Sequence, residues 1–94
     1  MDLYLRKVTH PQAHDKYRVM LKREDGEFEI GSIIQHGRAW SWGIDTVIPV
    51  RSFETEGWGR NRKDCMRQFK AAWDRFAADE ASLTEFLSAK RKRP

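Results

Sequence analysis

A chain of 94 residues has room for one hydrophobic core and little more. Hydrophobic residues at 39% and aromatics at 12%, four tryptophans among them, exclude a disordered polymer, which lacks the apolar bulk to offset the entropy of ordering. The formal net charge of +4 favours anionic neighbours only weakly. Four of the cations, Lys90, Arg91, Lys92 and Arg93, stand together near the C-terminus, and without them the chain is close to neutral.

Two classes of site are excluded by counting. The single Cys65 rules out an intrachain disulfide framework and a cysteine-rich zinc site. No apolar run approaches the length that spans a bilayer, and Met1 to Lys7 holds no signal-like stretch. A cytoplasmic location without membrane contact is expected.

In chain order, Leu3, Leu5 and Val8 place an initial strand or an ordered arm over residues 1–8. Pro11 breaks the chain between residues 9 and 15, since it cannot donate to a ladder and restrains the residue before it. Asp25-Gly26 has the residues of a tight type I′ turn and predicts a hairpin over 16–35. That turn would set Leu21 across from Ile30, Val19 across from Ser32, and Lys22 across from Glu29 on the other face.

The next turn falls at residues 35–38, before a strand carrying Trp40, Trp42 and Ile44. A three-residue loop, His36 to Arg38, would put both tryptophans on the apolar side with Ile34 and Ile30. A two-residue loop, His36-Gly37, would put them opposite Ile33 and Gly31 instead. Burial is the expectation, because a small domain needs that aromatic area in its core. Pro49 ends central pairing. Ser52 to Glu56 is a candidate fourth strand, and Gly57 and Gly59 then turn the chain into a helix.

The helix is the strongest signal. Asn61 is an N-cap with Asp64 three residues on. Cys65, Met66, Phe69, Ala72, Trp73, Phe76 and Ala77 then recur at three- and four-residue spacing and form one apolar stripe. Burying Phe69, Trp73 and Phe76 is worth on the order of ten kcal/mol before entropy. Ser82 to Glu85 has capping-box spacing and starts a second short helix or a bent continuation of the first. The fold expected is α+β, an antiparallel meander of three to four strands packed against the C-terminal helix. It forms one domain over residues 1–89, with a basic tail over 90–94.

The candidate sites are few. Cys65 lies on the apolar stripe and reads as packing rather than as a nucleophile. His10, His14 and His36 complete no metal-ligand spacing, so neither metal nor cofactor is expected. Asp15, Asp45, Glu54 and Glu56 form no pair in sequence suited to acid–base chemistry. The basic helix start is the one constellation with a functional reading. Arg60, Arg62, Lys63 and Arg67 surround a glycine turn feeding a helix, where backbone N–H groups attract anions. The plain alternative is a strand-to-helix turn with solvated cations.

The order Ile30-Gly31-Ser32-Ile33, then Trp40-Ser41-Trp42-Gly43-Ile44, then Gly57-Trp58-Gly59 leading to Cys65-Met66, Phe69-Lys70 and Trp73 covers nearly the whole chain. It resembles the small uncharacterised proteins common in rhizobia and related alphaproteobacteria. Those carry a Gly-x-Ile strand, a Trp-x-Trp strand and a helix with an Ala-Met…Phe-Lys…Trp stripe. Cys65 stands where they tend to have Ala, and their acidic helix start is replaced here by Asn61-Arg62-Lys63-Asp64. The resemblance implies a bacterial protein and a fold, and it carries over no activity.

The function expected is a small non-enzymatic binding or interaction module with a protein or nucleic-acid partner. The alternatives are a nucleic-acid- or anion-binding protein using Arg60, Arg62, Lys63 and Arg67, and a small enzyme without a recognisable catalytic set.

Overall fold

The computed structural model describes residues 2–8, 15–45 and 55–91. Five strands run in chain order across one antiparallel sheet: β1 (Asp2–Val8), β2 (Lys16–Arg23), β3 (Gly26–His36), β4 (Ala39–Ile44) and β5 (Glu56–Gly59). Two helices follow, α1 (Arg62–Ala77) and α2 (Glu80–Arg91). The α+β class and the meander are as the sequence implies. The strand number is five rather than three to four, because the residues 2–8 pair fully with β2 and the Gly57–Gly59 segment is itself a strand. Of the expected fourth strand, Ser52 to Glu54 lie outside the described residues, and pairing begins at Glu56. Pro11 and Pro49 also lie outside them.

The first hairpin differs in register from the type I′ expectation. Arg23 pairs with Gly26, so Glu24 and Asp25 form the turn, and Leu21 faces Phe28 while Lys22 faces Glu27. Gly26 still supplies the positive φ, +138°, but as the first residue of β3 rather than within the loop. A bulge then intervenes, because Met20 pairs with Glu29 and Val19 with Gly31, leaving Ile30 as the extra residue. Beyond it the inward face of β3 changes parity. Phe28 and Ile30 face the core on one side of the bulge, and Gly31 and Ile33 on the other.

That change decides the tryptophans. The loop into β4 is Gly37-Arg38, neither of the loops expected, and it sets Trp42 opposite Ile33 and Trp40 opposite Gln35. Ile33 is an inward residue, so Trp42 is buried and Trp40 half-buried. Burial is as expected for Trp42, by a different register, and only partial for Trp40, whose ring also borders solvent.

Both helices cover one face of the sheet, α1 over β3, β4 and β5, and α2 against α1 and β3. Asn61 caps α1, its side chain accepting from the Asp64 N–H at 2.8 Å. Cys65, Phe69, Ala72, Trp73 and Phe76 are buried, the stripe read from periodicity. They meet Val19 and Leu21 of β2, Phe28, Ile30 and Ile33 of β3, and Trp42 and Ile44 of β4. Phe86 of α2 closes an aromatic cluster with Trp73 and Phe76, at centroid separations of 5.3 and 5.5 Å.

Close approach of helix to sheet depends on Gly31 and Gly59, which present no side chain to α1. A Cβ at Gly59 would stand 2.7 Å from Cys65 Sγ, and one at Gly31 would collide with the Phe69 ring. The second helix begins before the Ser82 capping box: Asp79 accepts from the N–H groups of Ala81 and Ser82. Lys90 and Arg91, expected in a basic tail, form the last turn of α2 and bind Asp45 and Asp25.

Candidate functional site

The basic helix start is divided in two by Asp64. Arg67 reaches Asp64 Oδ1, the Arg60 backbone N–H donates to Oδ2 at 2.9 Å, and Arg60 Nε lies 3.9 Å from the same oxygen. The Arg60 N–H and then the Arg67 side chain hold the Asp64 carboxyl below its ordinary value. The N–H groups of Asp64 and Cys65 are taken by the Asn61 side chain and carbonyl. Asn61 and Asp64 therefore take two of the backbone N–H groups around the helix start, those of Asp64 and Arg60.

Arg62 and Lys63 go elsewhere. Arg62 donates to the Tyr17 hydroxyl at 3.0 Å and its guanidinium lies 5.1 Å from that ring's centroid. Tyr17 stacks on Trp40 at 6.5 Å between centroids. Together with Lys63, Asn61 and Asp15 they line an open shelf of about 360 Å³. Lys63 has no partner among the described residues. The four cations read from sequence are thus two pairs, one folded onto Asp64 and one bordering an aromatic shelf. Tyr17 and Trp40 could not be found as part of this site from sequence, because sheet register alone brings them to the start of α1.

The larger surface is the other face of the sheet, which neither helix covers. Cross-strand pairing aligns Arg18, Ser32, Gly43 and Glu56 in one row, and Ile34, Ser41 and Trp58 in the next. These residues line an open groove of about 1000 Å³. Trp58 is 65% exposed while Trp42, on the opposite face, is 5% exposed. His36 shares a 2.8 Å hydrogen bond with Ser41 and its ring lies 5.5 Å from the Trp58 ring. Such a pair is the start of a nucleophile–base arrangement, but among the described residues no carboxylate hydrogen-bonds to His36.

At the rim, Arg18 donates to both Asp45 oxygens, at 2.6 and 3.3 Å, and to Ser32. Lys90 of α2 binds the same carboxylate. Burial pushes the Asp45 carboxyl up, and the hydrogen bonds and charges of Arg18 and Lys90 outweigh this and hold it below its ordinary value. The groove wall is therefore pinned to α2 through one ion triad. Sequence reading missed the triad because its members are separated by most of the chain.

The remaining candidates have simple placements. Cys65 is fully buried under Gly59; burial first, then the Asp64 charge, pushes its thiol up, which suits packing. His10, His14 and Glu54 lie outside the described residues, and within them no cluster of three or more histidine, cysteine or acidic groups is placed to hold a metal. No described helix is long and apolar enough to cross a membrane. Comparison with family models, with curated proteins and with solved structures gave no match.

Proposed function

We propose that this protein is a small non-enzymatic binding module that uses the uncovered face of its sheet to hold a protein partner. The observation that carries this reading is Trp58, 65% exposed beside an open groove on a sheet face left bare by both helices. An indole left in water is costly, and a tryptophan ringed by polar groups that can close around it is the usual anchor of a contact surface. Ser32, Ser41, His36, Glu56 and Arg18 supply that polar surround. A cytoplasmic location is part of the proposal, since the free thiol of Cys65 is shut in the core and needs no oxidising compartment.

The test compares wild type with Trp58→Ala, both shown folded by circular dichroism, as immobilised baits in extract of the producing cell. A partner held by wild type and released by Trp58→Ala, with amide shifts at Ser32, Ser41 and Trp58 on its addition, supports the reading. Identical retention on both baits, or none on either, overturns it.

A second reading, nucleic-acid binding, is favoured by a separate observation, the Tyr17–Trp40 shelf bordered by Arg62 and Lys63. Aromatic faces that accept bases and cations that meet phosphates are the two parts single strands require. Anisotropy titration of labelled single-stranded and duplex oligonucleotides at two salt concentrations tests it. Salt-sensitive binding that Arg62→Ala with Lys63→Ala abolishes, and that Arg60→Ala with Arg67→Ala merely weakens, is the expected result. Binding indifferent to salt, or to Arg62→Ala with Lys63→Ala, refutes it.

A further inference from the structure

A five-strand sheet in meander order has two edges, and β5 and β1 differ sharply as edges. β5 is four residues long, and α1 lies against it. β1 runs for seven residues, pairs with β2 without a bulge, and has no strand or helix on its outer side among the described residues. Proteins protect such edges with proline, bulges or charges pointing into the core. Asp2 to Arg6 has no proline or bulge, its charges Asp2 and Arg6 point outward, and the one charge in step with Leu3 and Leu5 is Lys7, at the far end of the strand.

The inward positions there are Leu3 and Leu5, paired with the core residues Leu21 and Val19 and packed on the core cluster, yet only half-buried. Nothing described extends the core beyond them. The outward positions are Asp2, Tyr4 and Arg6, all exposed.

The geometry points to β1 as a homodimer interface, pairing antiparallel with β1 of a second copy about a two-fold axis at Tyr4. The axis must stand perpendicular to the sheet, so each residue meets one from the same face. In this register Leu3 lies across from Leu5 of the second copy, and the reverse, joining the two cores. Asp2 lies across from Arg6, and the reverse, with Tyr4 across from Tyr4. Opposite charges directly across are favourable and like charges are not.

Neighbouring registers fail on the same rules. A one-residue slip sets inward leucines against outward residues. Centring on Leu5 puts Leu3 across from Lys7 and Tyr4 across from Arg6. Centring on Leu3 puts Asp2 across from Tyr4 and so separates Asp2 from Arg6. The second copy is thus chosen by the strand's own sequence: its charges and its leucines are complementary to themselves in one register. Arg6 also binds Glu29 within its own chain, and a guanidinium has donors for both.

The test is sedimentation equilibrium on wild type, Asp2→Arg and Arg6→Asp. Wild type is expected to self-associate. Asp2→Arg sets Arg against Arg and Arg6→Asp sets Asp against Asp, so each variant alone should associate at least about tenfold more weakly. In an equimolar mixture of the two, both arginines of one variant lie across from both aspartates of the other, which restores association. That restoration requires both variants to be folded and cannot come from the lost Glu29 contact. A monomeric wild type up to millimolar concentration, association unchanged in the single variants, or a mixture that stays monomeric overturns the proposal. Hydrogen exchange on wild type needs no variant: protection of β1 amides should rise with protein concentration, and protection that does not change refutes the interface.

Discussion

Substituting Gly31 by Ala adds one methyl group at the place where helix and sheet come closest. Its Cβ would collide with the carbonyl oxygen of Gly43 on the neighbouring strand and with the Phe69 ring, whose Cζ lies 2.7 Å away. The carbonyl belongs to the backbone of β4 and cannot yield without moving that strand. Phe69 is fully buried and packed edge-on against Trp42 at 6.0 Å, so its ring has nowhere to turn. Overpacking in a close-packed core costs about 1–3 kcal/mol when side chains can adjust, and two rigid neighbours place this one near about 3 kcal/mol. For a domain of this size the melting temperature should fall by roughly 12–20 °C.

Gly43→Ala is the internal control. It lies next along β4 but faces the open groove, and its Cβ would meet nothing closer than 3.8 Å. It should leave stability within about 0.5 kcal/mol of wild type. Thermal denaturation followed by circular dichroism measures both. Adding Phe69→Leu to Gly31→Ala should recover only part of the loss, because the collision with the Gly43 carbonyl persists. Equal melting temperatures for Gly31→Ala and Gly43→Ala would show that α1 does not pack on β3 as described.

Asp45→Asn should cost about 2 kcal/mol at neutral pH, since it leaves Lys90, 11% exposed, beside an uncharged amide, and leaves Arg18, 18% exposed, with only Ser32 and a 3.6 Å ion pair to Glu29. The Asp45 carboxyl is held below its unfolded value, so its stabilisation is complete above the ordinary carboxylate pKa of about 4 and is lost as pH falls through the folded value. The stability gap between wild type and Asp45→Asn should therefore close below about pH 4, and chemical denaturation at several pH values reads it. A gap independent of pH would refute the triad. Cys65, fully buried with its thiol pushed up by burial and by Asp64, should react with a disulfide reagent only as fast as the protein unfolds. Rapid labelling of the native protein would count against the packing of α1 on β5.

Local pattern carries part of this fold. The stripe of α1 is legible because helical packing needs only a repeat of 3.6 residues, and Cys65, Phe69, Ala72, Trp73 and Phe76 keep that repeat without help from other elements. The Asn61 cap is legible for the same local reason. The existence of the hairpin and of the tryptophan strand also follows from local pattern. Their registers do not. Gly26 supplies its positive φ one place outside the turn, and the bulge at Ile30 reverses the inward parity of β3, so pairing counted from the turn fails on both strands. Trp42 reaches the core only because β3 changes face and the loop is Gly37-Arg38.

The sites depend on tertiary structure still more. Arg60, Arg62, Lys63 and Arg67 are neighbours in sequence, but Asp64 draws two of them away, and Tyr17, distant in sequence, receives a third. By sequence alone, the flanking glycines put Trp58 in a turn. Strand pairing instead makes Gly57 and Gly59 the inward positions opposite Trp42 and Trp40, and that pairing alone turns the indole of Trp58 out to water. Periodicity records which residues share a face of their own element. Which face another element covers is decided only when the elements pack, and here both helices pack on one face of the sheet and neither covers the other.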